Sequence, residues 1–252
     1  MSSYKGHSLF ALILALMFSF NPLIIALAVI GANIPDFDHK FKKENVYKII
    51  ILGLLVFISL YILKLPYFIG LIIVFVGVTF YFSEHRSFTH SIPGTIILAS
   101  AVSLILIWAW ELIINVTILP NNYLIAILIA LLSFLFLNKR LLPIFIPLFF
   151  ISVVVLQSFE ITYIQIVLSL FLGLFSHVVL DATTPAGVKL FAPVSSKKYY
   201  KNFAIGAIFV LVILALIVRI PLLFNLFENF DFVEILIFIE FVLDLQLLRL
   251  CF

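Results

Sequence analysis

Eight long apolar runs, parted by short polar or Pro/Gly clusters, dictate what this chain can become: about 46–63, 67–83, 92–114, 123–137, 141–156, 161–180, 203–224 and 231–250. In hydrocarbon a segment must satisfy its own backbone polar groups, which a helix does, and about 17–25 residues suffice to cross. Most of the runs qualify, while the pair between 123 and 156 is short enough for a tight or re-entrant hairpin. Composition points the same way: 65% of the residues are hydrophobic, 11% are charged and the mean hydropathy is +1.33. Ordinary soluble domains are about 45–50% apolar and about 25% charged. No linker, charge block or internal repeat divides the chain. The expected fold is all-α: a polytopic helical membrane protein of about eight membrane helices in one domain, 1–252, with two additional C-terminal helices in 203–252.

The first apolar stretch, 8–34, is long enough to cross once. Crossed once as a helix, it would put His7 and Asp36 on opposite sides, roughly 40 Å apart at 1.5 Å per residue. Asn21-Pro22 interrupts it, and proline removes a donor and disfavours helix in the residue before it. The preferred reading is a half-depth helical hairpin whose two arms bring both ends to one side. A cleaved leader ending near Ala26-Leu27-Ala28 is the alternative, but it would discard His7. The lone cysteine, Cys251, has no intrachain partner, so disulfides play no part.

Following the chain from Asp38 in and out of the membrane delivers every short polar motif to one face. The same path places 13 of the 15 basic residues on that face, with Lys64 and Arg219 opposite. The positive-inside rule then makes it cytoplasmic, in a multi-pass protein of the cell membrane. A net charge of +3 gives no argument for a nucleic-acid partner.

All five histidines fall in those motifs: Gly6-His7, Pro35-Asp36-Phe37-Asp38-His39, His85-Arg86-Ser87-Phe88-Thr89-His90-Ser91, and His177-Val178-Val179-Leu180-Asp181. Imidazole with carboxylate is a ligand set for zinc, manganese or iron. His177 and Asp181, four apart, leave one helix face; as an isolated pair they are equally a helix-end hydrogen bond. Asp36, Asp38 and His39 sit in a turn, where capping is the competing role. His7 belongs to the set through the hairpin. His85 and His90 are five apart, wrong for one face, so a turn must lead into a helix beginning near Ser91, with Thr89 and Ser91 as orienting partners. Arg86 reads either as a fork for a substrate phosphate or as a partner for Glu84 or a motif aspartate. Eight candidate ligands (His7, Asp36, Asp38, His39, His85, His90, His177 and Asp181) exceed the three or four protein ligands of one catalytic zinc. Two divalent ions, zinc first and manganese or iron next, would suit hydrolysis, with Asp36 or Asp38 as bridging ligand or base. The loop after Asp181, through Lys189 to Lys197-Lys198-Tyr199-Tyr200-Lys201, reads as a lid with anion contacts or as an anchor at the headgroups.

In this order the motifs resemble the LexA-regulated, membrane-bound, predicted metal-dependent hydrolases, the YdjM-like family, from His7 to about Pro193. Ser87 stands where that family usually has glycine. The resemblance implies a hydrolase-like region over 1–202. It also implies a more remote similarity to zinc-dependent phospholipases C and single-strand-specific zinc nucleases, although this chain carries one His-x-x-x-Asp pair where those enzymes have several.

The reading of function that follows is hydrolysis of a phosphoester, of a membrane lipid or a lipid-linked molecule, at the interface, with Asp36, Asp38 and Arg86 catalytic. A divalent-metal transporter or sensor is the alternative from another class. Transport sites lie near the midplane, within helices, and here Glu111, Glu240 and Asp244 are the main interior candidates. A noncatalytic scaffold, its helix ends tied by metal, is the third.

Overall fold

The computed structural model describes residues 4–36, 43–83, 87–114, 117–156 and 160–228. Helices dominate them: α1 (Tyr4–Phe18), α2 (Pro22–Gly31), α3 (Lys43–Ile62), α4 (Phe68–Phe82), α5 (Ile92–Ile114), α6 (Asn121–Phe136), α7 (Leu142–Val155), α8 (Tyr163–Ala182) and α9 (Lys201–Glu228), with a 3₁₀ turn at Phe88–His90. Among the described residues the extended pairing is one isolated antiparallel bridge, Val188 with Tyr199. The chain divides into two compact units, Met1–Leu211 and Val212–Phe252, the division falling inside α9. The run at 231–250, with Glu240 and Asp244, lies outside the described residues.

Helix α8 is the axis of the first unit and packs against α1, α2 and α5. Its sequence explains why: Ile166, Ser169, Leu170, Gly173, Leu174, His177 and Asp181 recur at helical spacing and are buried. Thr162 starts it with a capping box, its hydroxyl accepting from the Gln165 N–H while the Gln165 carboxamide accepts from Thr162 N–H at 2.9 Å. Against α2 the contact is backbone on backbone. A Cβ on Gly31 would come within 2.6 Å of the Leu170 carbonyl oxygen, and one on Gly173 would run into the Ala28 carbonyl. Small residues at such a crossing let helices approach closely where lipid gives no hydrophobic drive to association.

The chain does reverse at Asn21-Pro22. Asn21 caps α2, its side-chain oxygen accepting from Leu23 N–H at 3.0 Å, and its amide nitrogen donates to the Glu160 carbonyl at 3.1 Å. That second bond ties the reversal to the segment leading into α8. Proline at the first helical position needs no hydrogen-bond partner there.

Among the described residues three helices are long and apolar enough, by length and composition, to cross a membrane: Ile92–Ile114, Tyr163–Ala182 and Lys201–Ile220. The other apolar helices run from 10 to 17 residues, with α3 counted over its apolar part, Val46–Ile62. Apolar residues also occupy the helix caps. Leu137 ends α6, and Leu141 and Leu156 flank α7. The expected count of about eight spans therefore exceeds the helices of full spanning length among the described residues.

Candidate metal centre

Four separate stretches of chain supply the cluster. His7 lies on the buried stripe of α1, with Ala11 and Leu14. Asp36 ends the turn that follows α2. His90 closes the 3₁₀ turn before α5, where Ser91 acts as hinge, donating to the Phe88 carbonyl at 2.7 Å and accepting from Gly94 N–H at 3.1 Å. His177 and Asp181 leave one face of α8, one turn apart. His7, His90, His177 and Asp181 are buried, whereas the Asp36 side chain keeps 26% of its exposure.

The three imidazoles present the same atom to the centre. His177 Nε2 lies 3.2 Å from His90 Nε2, and each is 3.6 Å from Asp181 Oδ2. His7 Nε2 is 3.5 Å from Asp181 Oδ1, and Asp36 Oδ1 is 3.7 Å from His177 Nε2. Two donors at about 2.0–2.1 Å from a tetrahedral zinc stand about 3.3–3.4 Å apart, so these spacings are close to those of a ligand shell that could hold an ion.

Tautomers support this arrangement. His177 Nδ1 lies 2.7 Å from the Ala32 carbonyl oxygen. A carbonyl can only accept, so Nδ1 carries a hydrogen, and in the neutral ring Nε2 offers its lone pair inward. His90 Nδ1 is 3.0 Å from the Thr89 hydroxyl, the kind of outer partner that orients a ligating imidazole. The His7 ring stacks on that of His177 at 3.7 Å, tilted by 10°.

Among the described residues two groups of ligand atoms result: His90, His177 and Asp181, and His7, Asp36 and His177. Both use His177, whose single inward lone pair serves one ion. Asp181 is different, with Oδ2 toward His90 and His177 and Oδ1 toward His7. It stands as a carboxylate able to bridge. Its place in the last turn of α8 also puts negative charge at the helix end where the macrodipole disfavours it, so a cation is the natural complement. The donor set thus fits a divalent ion of the zinc, manganese or iron kind.

Of the expected site residues, the structure brings together His7, Asp36, His90, His177 and Asp181; Asp38, His39, His85 and Arg86 lie outside the described residues. Sequence reasoning missed two contributors. One is the Ala32 carbonyl, which no side-chain motif could reveal. The other is Asn33, buried, whose amide donates to the Ser8 hydroxyl at 2.9 Å and to the Val29 carbonyl at 2.8 Å. A lone amide at the end of an apolar run was the available signal. Glu111, by contrast, accepts from the Tyr163 hydroxyl at the first turn of α8, about 21 Å along the helix from His177.

The loop after Asp181 is pinned. Thr184 donates its hydroxyl to the Asp181 carbonyl at 2.7 Å, Val188 and Tyr199 exchange backbone bonds of 3.0 and 2.8 Å, and Ile92 N–H donates to Leu190 at 2.9 Å. Lys189 is half-buried, while Lys197, Lys198 and Lys201 are exposed.

The profile of the family described as YdjM inner membrane protein matches residues 1–139 and 141–248. The match continues well past Pro193, where the motif resemblance stops. No curated protein and no solved structure matches the chain.

Proposed function

The chain belongs to the YdjM family of inner membrane proteins, and from that premise we propose that it is a membrane-bound, metal-dependent hydrolase of a phosphoester in a lipid or lipid-linked molecule. One observation carries the reading. Three imidazole Nε2 atoms and two carboxylates from four stretches of an otherwise apolar chain converge at ligand-shell spacing, with one carboxylate half-open.

His7, Asp36, His90, His177 and Asp181 would hold divalent metal, two ions in this reading, with Asp38, His39 and His85 as the further candidate ligands of the same motifs. Bound divalent ions, zinc foremost, supply Lewis acidity toward a phosphoryl oxygen and offset the charge that develops there. Asp36, the half-open carboxylate, is the group to take the proton of the attacking water, with Asp38, two residues on in the sequence, as the other candidate. Arg86 offers a planar fork to the phosphate. The buried imidazoles fix the geometry and the apolar helices around them exclude bulk water. The start of α5, the end of α8 and the start of α9 all meet near the cluster, which favours a site at the membrane boundary, on the cytoplasmic face by the distribution of lysine and arginine.

A carrier reading gains less support. Glu111, its interior candidate, lies at the far end of α8 from the cluster. Uptake of divalent metal into proteoliposomes would favour that reading instead.

Purified protein should contain at least one transition metal per chain. Asp181→Ala and His177→Ala should each abolish turnover of phosphoester lipids while the protein still inserts into membranes. Retained turnover in either variant refutes the assignment.

A further inference from the structure

The loop that follows Asp181 has features the catalytic reading does not use. It joins the end of one span-length helix, at Ala182, to the start of another, at Lys201, and it is bonded through Leu190 to Ile92, the start of the third. Three span ends at one loop place it at the boundary between hydrocarbon and water. Between Ala182 and Phe227 there is no acidic residue. Four lysines, 189, 197, 198 and 201, crowd the thirteen positions from 189 to 201.

Its shape is held from beneath. Tyr199 stacks edge-on between Phe191 at 5.8 Å and Phe203 at 6.0 Å, and Lys197 Nζ sits 5.7 Å from the Tyr199 ring. Gly187, at φ +64, makes the turn with its Cα against the Tyr200 ring, where a side chain would collide. At the loop's crest Val194 is 89% exposed, flanked by the exposed Phe191 and Tyr200. Apolar side chains that project beside unopposed lysines, at the level where headgroups lie, match the two halves of an anionic lipid surface: acyl boundary below, negative phosphate above.

We propose that the Lys189–Lys201 loop is a docking shelf for anionic phospholipid headgroups: Val194, Phe191 and Tyr200 enter the interface, and Lys197, Lys198 and Lys201 hold the phosphates. The shelf begins eight residues after Asp181, so lipid gathered there lies beside the cluster. Its operation requires no turnover, which lets it fail or succeed independently of the hydrolase reading.

The test uses full-length protein in vesicles, with Val194→Cys in a Cys251→Ser background carrying an environment-sensitive fluorophore. Emission is followed as phosphatidylglycerol replaces phosphatidylcholine, with chelator present. A blue shift is expected as anionic lipid rises, weakened by high salt. An attraction of about 1 kcal/mol per lysine is about five-fold. Lys197→Gln/Lys198→Gln/Lys201→Gln together should thus push the half-point beyond pure anionic lipid and abolish the shift. Emission insensitive to anionic lipid, or a triple variant that responds like its parent, overturns the proposal. An equal loss from Lys139→Gln/Arg140→Gln, two exposed basic residues on another loop, would also overturn it, by showing a general charge effect.

Discussion

Asn33 joins two parts of the cluster through one amide. It bonds to Ser8, next to His7, and it follows Ala32, whose carbonyl holds His177. Asn33→Leu keeps the volume and removes both donations, so His7 loses its register against His177. Outer-shell losses of this kind cost about 10–100-fold in metal affinity, and chelator competition on the purified variant should show a drop of that size with helicity unchanged. Thr89→Val should do the same through His90, while Thr89→Ser, which keeps the hydroxyl, should restore affinity. Unaltered affinity in Thr89→Val would mean that packing alone orients the ring. At this scale the sequence revealed the ligands by type, because imidazole and carboxylate are conspicuous among hydrocarbon. It hid their supports, because a backbone carbonyl has no letter and one asparagine resembles a cap.

Helix positions were legible in the seven apolar runs that fall within the described residues, whose expected and observed limits differ by a few residues at most. Packing was less so, since nothing in hydropathy says which face of a wholly apolar helix meets another. The exception is α8, where serine, glycine, histidine and aspartate mark the inner stripe. There Gly173 is decisive. Gly173→Ala would drive α2 away from α8, and because Ala32 follows α2, the bond that orients His177 would go with it. Overpacking costs about 1–3 kcal/mol, to be seen as a lowered thermal transition in detergent together with weakened metal binding. Gly206→Ala, in α9, meets nothing within 4 Å. It should leave the transition unchanged or raise it slightly, as alanine is the better helix former.

On the scale of the whole molecule, one ion would connect stretches of chain as distant in sequence as His7 and Asp181. Metal that binds only the assembled site stabilises it by mass action, about 2.7 kcal/mol at a hundred-fold excess over Kd. Stripping it with chelator should lower the unfolding temperature and readdition of zinc should restore it; equal transitions with and without metal would remove the ion from the account. Residues from all four motifs do meet, as the path counted through the membrane expected, whereas hydropathy does not mark which of the shorter apolar helices cross, because apolar caps and short helices score alike. The N-terminal hairpin carries one more consequence. Its arms, 15 and 10 residues long, rise about 22 and 15 Å, short of the roughly 30 Å of hydrocarbon. Neither can settle in a bilayer alone, and the helix that shelters them is made more than a hundred residues later. Both arms pack against α8, so the shelter of the hairpin is complete only once residues 163–182 have been made.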